Sequence, residues 1–343
     1  MVKRIRMAAG VICLTAYLCG CSPGHENAKV APADGNVAPT DGNVAPADGK
    51  MASSDAGYQS RGQAPASLEE RDVQRVTQTA SPEPEKKGFA LNPSGSVLSE
   101  RIPAPSGYER TEAVEGSFQD YIRSYPLKPD KSPVTLSDGS EKGNQTAHAA
   151  VFALPVFDSD LQQCADSVIR MYGEYLWARG ASDRIAFHLT NGFLMDYPSW
   201  REGNRLAVDG NQVWWVKKAS YDDSYETFLL YMKYVMMYAG TLSLDNECTA
   251  IDISRIKAGD MFIKGGSPGH CVMVADVAVN RDGDICFLLA QGYMPTQDFH
   301  ILNNPLHMED PWYYARELSY PLKTPEYVFQ EGSLKRWYLS DFL

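Results

Sequence analysis

The amino-acid sequence predicts an α+β domain: an antiparallel sheet packed against a cysteine-bearing helix and preceded by a disordered tether. Three observations carry that expectation. Met261–Ile263, Cys271–Val279 and Ile285–Ala290 are β-branched or apolar runs, joined by Lys264–Gly269 and Asn280–Asp284, so they read as a three-stranded antiparallel meander. Around Cys164, the stretch Ser159–Arg179 sets Leu161, Val168, Tyr172, Tyr175 and Leu176 at helical steps. Upstream, Val30–Lys50 repeats one seven-residue unit three times with Pro and Gly in each copy, which forbids both a helix and a coiled coil.

Taken in order, residues 1–20 read as a secretory leader. Lys3, Arg4 and Arg6 precede the apolar run Met7–Leu18, which is shorter than the ~20 residues a membrane span needs. Leu18-Cys19-Gly20-Cys21 is similar to a bacterial lipobox, and the resemblance implies cleavage before Cys21 and lipid attachment to its thiol. Several acyl chains on one cysteine hold a membrane stably, which predicts a lipid-anchored protein of the cell envelope. Residues 21–95 are the tether: polar, Pro-rich and too poor in apolar surface to order. At coil scaling of ~5–6 Å × √n, such a tether spans tens of ångströms.

Residues 96–343 form the expected globular domain. Arg101–Tyr108 is an extended lead-in, Ser117–Arg123 a short helix capped by Ser117, and Ala149–Leu154 a strand. The Cys164 helix ends at Gly180, and its periodicity places three to five residues ahead of the cysteine. Ile185–Leu189 is a strand, Ser224–Ala239 an aromatic-rich helix stopped by Gly240, and 301–343 a Pro- and Trp-rich segment expected to wrap the surface.

The formal net charge is −11, and loss of the three leader cations takes it to −14. With no Lys/Arg cluster, this excludes nucleic acid as a partner. After the leader and lipid-site cysteines, Cys164, Cys248, Cys271 and Cys286 remain, in no metal-binding spacing. Cys271 and Cys286 are read as core thiols, with a cross-strand bridge as the alternative in an oxidising compartment. No His/Asp/Glu spacing supports a metal, and no cofactor is expected.

The chemistry-bearing residues are a thiol on a helix and an imidazole on a strand. A cysteine near a helix N-terminus is held towards its thiolate by the dipole. His270 opens the central strand after a Gly-rich turn, and Gln291 closes the next strand. Such a base can take a thiol proton while an amide orients its ring. The pairing predicts a thiolate populated near neutral pH. A His after glycines can also simply close a turn, and a thiol one turn into its helix can be structural.

Gly259-Asp260, Gly269-His270 and Gln291 follow the pattern of the second half of the NlpC/P60 and CHAP branch of papain-like hydrolases, which the chain resembles there over some forty residues. More widely, from Ile102 onward, it resembles the bacterial DUF4846 family of unknown function. The residues that carry this are Leu161–Asp166, Thr190–Phe193, Ala239–Leu242, Gly265–His270 and Leu289–Pro295. The papain-like resemblance implies Cys164 as nucleophile, His270 as base and Gln291 as orienting group. Gln162 or the Cys164 amide is then the oxyanion donor. By the same analogy the protein is a peptidase or amidase of the envelope, acting on peptides such as peptidoglycan stems. The alternative is a non-catalytic binding or scaffold protein on the same fold. Asn191, Asp196, Trp200 and Tyr293 are candidates for a substrate groove, with a solvated loop as the competing reading. Asp166 and Arg170 are expected to form a helix salt bridge, and His188 to sit in the core.

Overall fold

A computed structural model describes residues 89–338. The leader, the lipidation cysteine Cys21 and nearly all of the tether therefore lie outside the described residues. After a single helical turn α1 (Leu98–Arg101) come strand β1 (Tyr108–Arg110) and α2 (Phe118–Arg123), whose N-cap Ser117 accepts from the Asp120 amide. Strand β2 (His148–Val151) precedes the long helix α3 (Cys164–Ala178). Two hairpins, β3–β4 (Ala186–His188, Leu194–Asp196) and β5–β6 (Asn204–Asp209, Gln212–Lys217), flank α4 (Tyr197–Arg201). Then come α5 (Tyr225–Tyr238), α6 (Thr241–Asn246), β7 (Cys248–Ala250), β8 (Met261–Lys264), β9 (His270–Asn280) and β10 (Ile285–Gln291). The chain ends with β11 (His300–Leu302), β12 (Tyr313–Tyr314), β13 (Leu322–Lys323), β14 (Val328–Phe329) and β15 (Leu334–Trp337).

The domain is mixed α+β, built on one nine-stranded antiparallel sheet of order β2-β11-β10-β9-β8-β15-β7, with β1 pairing β9 and β12 pairing β10. The expected meander is its centre. Strand β9 is buried along most of its length because both faces of the sheet are covered. Met261, Cys271, Met273 and Leu288 belong to the core shared with α2, α3 and α5. Phe262, Val272, Val274, Phe287 and Leu289 pack on the opposite side against Phe329 and Leu334. Each such side chain contributes about 1.5–3 kcal/mol on burial.

Alternation breaks once along β9. Leu288 pairs with Asp276 but Leu289 with Val274, so Ala275 is an unpaired bulge residue. Val272 and Val274 then face the same layer as Val277, three positions on rather than two.

Several expectations change here. The C-terminal stretch does not merely wrap the surface: β11, β12 and β15 join the main sheet, and Trp312 and Trp337 are fully buried. Helix α3 starts at Cys164 rather than near Ser159. Arg170 pairs with Glu174 at 2.7 Å instead of with Asp166, whose Oδ2 accepts from the Gln163 amide at 3.1 Å. His188 is not a core residue; it sits at the surface and pairs with Glu247. By contrast the core-thiol reading of Cys271 and Cys286 holds: both are free and fully buried, and Cys164 and Cys248 are free as well.

Candidate active site

Cys164 occupies the first helical position of α3, directly after N-cap Gln163. The carboxylate of Asp166 caps the preceding amide, and this stops the helix from extending back to Asp160. Backbone N–H groups of Ala165 and Cys271 point at the Cys164 sulfur and favour its anion. Burial dominates them, and with the nearby Asp166 charge the thiol is pushed up to about 11. A thiolate populated at neutral pH is therefore not the resting form of this site.

Because Cys271 follows His270, the same contact brings the cysteine helix to the strand end that carries the imidazole. His270 is 2 % exposed, and its Nε2 lies 2.8 Å from Gln291 Oε1. Its ring packs on Tyr293 and Tyr327, at centroid distances of 4.8 and 4.7 Å. Burial drives its pKa down to about 4, against the opposing influence of Gln291 and the Glu326 charge. Among the described residues no hydrogen bond joins Cys164 to His270, and at rest the thiol and the imidazole are both neutral, with Tyr293 common to their surroundings.

Cys164 opens onto a cleft of about 540 Å³ between the start of α3, the end of α5 and the Gly265–Gly269 turn. Met236, Met237, Tyr293 and Tyr327 supply its apolar and aromatic wall. Thr241 Oγ1 donates to the Gly266 carbonyl at 3.1 Å and ties the turn to α6. A larger cavity of about 620 Å³, lined by Phe89, Lys131, His148 and Met308 among others, places no nucleophile beside a base.

The helix start docks on Gly292, immediately after Gln291. A Cβ there would lie 2.2 Å from Ser167 Oγ and 2.9 Å from the Gln163 carbonyl oxygen. Gly292→Ala should therefore displace the start of α3 and cost about 1–3 kcal/mol, as other overpacked sites do, which urea unfolding would measure.

Of the residues expected at the site, Cys164 and Tyr293 line one cleft, and His270, held by Gln291, packs on Tyr293 without itself lining that cleft. Gln162 is fully buried and does not line the cleft, and neither of its side-chain amide atoms is hydrogen-bonded. Trp200 cannot line a groove: it is fully buried and donates from Nε1 to the Thr227 carbonyl at 3.1 Å. Asp196 caps α4 through the Ser199 amide, and Asn191 donates to the Asn211 carbonyl between the two hairpins. Neither lines the Cys164 cleft.

Four partners escaped sequence reading. Tyr327 lies over His270, Glu326 Oε2 accepts from Gln291 Nε2 at 2.6 Å, Lys142 pairs with Glu326 at 2.5 Å, and His300 Nε2 lies 3.5 Å from Gln291 Nε2. Only His300 carried a signal, as a lone polar ring inside an apolar run.

Among the described residues there is no group of three or more His, Cys, Asp or Glu that could hold a metal, and no helix is long and apolar enough to cross a membrane. A family model described as "Domain of unknown function (4846)" matches residues 98–336. No curated protein and no solved structure matches the chain.

Proposed function

Since the chain belongs to the DUF4846 family, whose description carries no activity, we propose from its site that it is a papain-like cysteine hydrolase cutting peptide or amide bonds. One observation supports this above the others: a cysteine that opens a helix meets, through the Cys271 amide, the strand end where Gln291 holds His270.

The chemistry runs from the neutral pair. His270 takes the thiol proton as the Cys164 sulfur attacks the substrate carbonyl carbon. The carbonyl electrons move onto oxygen, for which the Cys164 amide at the start of α3 and the Gln162 side chain are the candidate donors. The tetrahedral adduct collapses, the C–N bond breaks, and the imidazolium returns its proton to the leaving amine. Water, deprotonated by His270, then attacks the thioester and frees Cys164.

Lipidation at Cys21 would place this cleft in the cell envelope, where peptidoglycan stem peptides are the leading substrate class by analogy. A second reading is a binding protein that uses the same cleft. It is favoured by one observation: Cys164 is buried with no hydrogen bond to His270 among the described residues, and burial pushes its thiol up to about 11.

Purified peptidoglycan incubated with the full chain should gain new free amino groups, and Cys164→Ala should yield none. Undiminished release by Cys164→Ala would refute the hydrolase. Uncut peptide retained equally by both proteins would establish the binder.

A further inference from the structure

We propose that a hydrogen-bond ladder across the ends of β9, β10 and β11 dictates which nitrogen of His270 carries its proton, with His300, Glu326 and Lys142 as positioning residues. The inference rests on His270 being the base of the proposed hydrolase.

The assignment starts from a group that can only accept. His300 Nδ1 lies 2.8 Å from the Asp298 carbonyl oxygen, so Nδ1 carries the hydrogen. The ring is fully buried and neutral, its pKa driven down to about 3 by burial, which leaves Nε2 as an acceptor. Gln291 places one end of its amide 3.5 Å from that Nε2 and 2.6 Å from Glu326 Oε2. Both neighbours accept, so this end must be the NH2. The short contact to the carboxylate carries the assignment, and the longer one agrees with it.

Gln291 Oε1 then faces His270 Nε2 at 2.8 Å, and Nε2 must donate. In a neutral ring the lone pair is left on Nδ1, where a proton can be received. Flipping Gln291 would oppose its oxygen to the Glu326 carboxylate and put the His270 proton on the wrong nitrogen. Glu326 is itself fixed by Lys142 Nζ at 2.5 Å and Asn144 Nδ2 at 3.3 Å. Lys142 and Glu326 are only 8 and 12 % exposed at their side chains, so solvent screens the pair little.

The test is two-bond 1H–15N correlation on full-length protein labelled at histidine nitrogen, at pH 7, with each ring assigned by substitution. His270 should be the Nε2–H tautomer and His300 the Nδ1–H tautomer. Glu326→Leu removes the acceptor and should turn His270 into a tautomer mixture, lowering kcat at least ~10-fold with KM little changed, while Glu326→Gln, which keeps an acceptor oxygen, should stay within ~3-fold of wild type. A wild-type His270 protonated on Nδ1 would overturn the ladder. So would a folded Glu326→Leu whose His270 signals do not move. Should that variant not fold, the wild-type tautomers decide alone. Tautomers as stated, in a protein that cleaves nothing, would overturn the hydrolase and leave the ladder standing.

Discussion

His270→Ala should lower hydrolysis at pH 7 by ~10²–10⁴-fold, the range for losing a positioned general base. The pH profile should also be unusually broad. His270, pushed down to about 4, is a competent neutral base at any pH above that value, and is lost as a base only as pH falls through it. Cys164, pushed up to about 11, stays protonated until pH approaches that value. The neutral pair therefore persists between the two, and kcat/KM should be flat from pH 5 to 10 on the order of a unit at each edge, then fall tenfold per unit on the acid side. An ion-paired site would instead show an acid limb set by the thiol.

Iodoacetamide offers an independent check, because it reads the resting thiolate. That fraction is on the order of 10⁻⁴ at pH 7 for a thiol near 11, so alkylation of Cys164 should climb about tenfold per pH unit through neutrality. An alkylation rate that levels off from about pH 5 upward, or a His270→Ala protein of full activity, would sink this account.

Asp276→Ala is expected to be the most damaging single change to the fold, at about 3–5 kcal/mol, because it strands two cations in a buried site. Asp276 is completely buried on β9, with Arg110 Nε at 2.5 Å and Arg123 Nε at 2.6 Å. These partners come from β1 and α2, so one carboxylate fastens both N-terminal elements to the central strand. Arg123 Nη1 also donates to the Thr111 carbonyl at 2.7 Å, and Arg110 Nη2 donates to the Ile102 carbonyl. At 2–4 °C per kcal/mol, the melting midpoint should drop by roughly 6–20 °C. Replacing both arginines by methionine in the same protein should recover most of the loss, since the penalty lies in the unpaired charge. A midpoint shift under 2 °C for Asp276→Ala alone, on the order of a surface substitution, would contradict the reading.

The legible parts of this protein were those encoded locally. Gly-rich and Asp-Gly turns set between apolar runs gave the three central strands, and periodicity gave α3 and α5. Cys164, His270 and Gln291 stood out because each interrupts or begins a regular pattern. The start of α3 was misplaced because Leu161 extends the helical period by chance, while the Asp166 cap that ends it resembles an ordinary helix charge. Leu334–Trp337 escaped notice because its middle residues, Lys335 and Arg336, look solvated. In the fold they meet Asp245 and Asp260 at 2.6 and 2.7 Å, partners some eighty residues upstream. Lys142 and Glu326 were illegible for the same reason: charges far apart in sequence carry no local sign that folding will bury them together.

The bulge at Ala275 makes β9 behave as two strands of opposite phase spliced end to end. One half presents His270 to Gln291, and the other presents Asp276 to the arginines across the opposite layer. Strand side chains repeat every two residues, so removing one residue at the splice would rotate one half by half a turn relative to the other. Either the imidazole or the carboxylate would then point into the wrong layer. Point substitutions can accumulate in both halves independently, but the number of residues between His270 and Asp276 is a quantity that descendants of this chain can change only in steps of two.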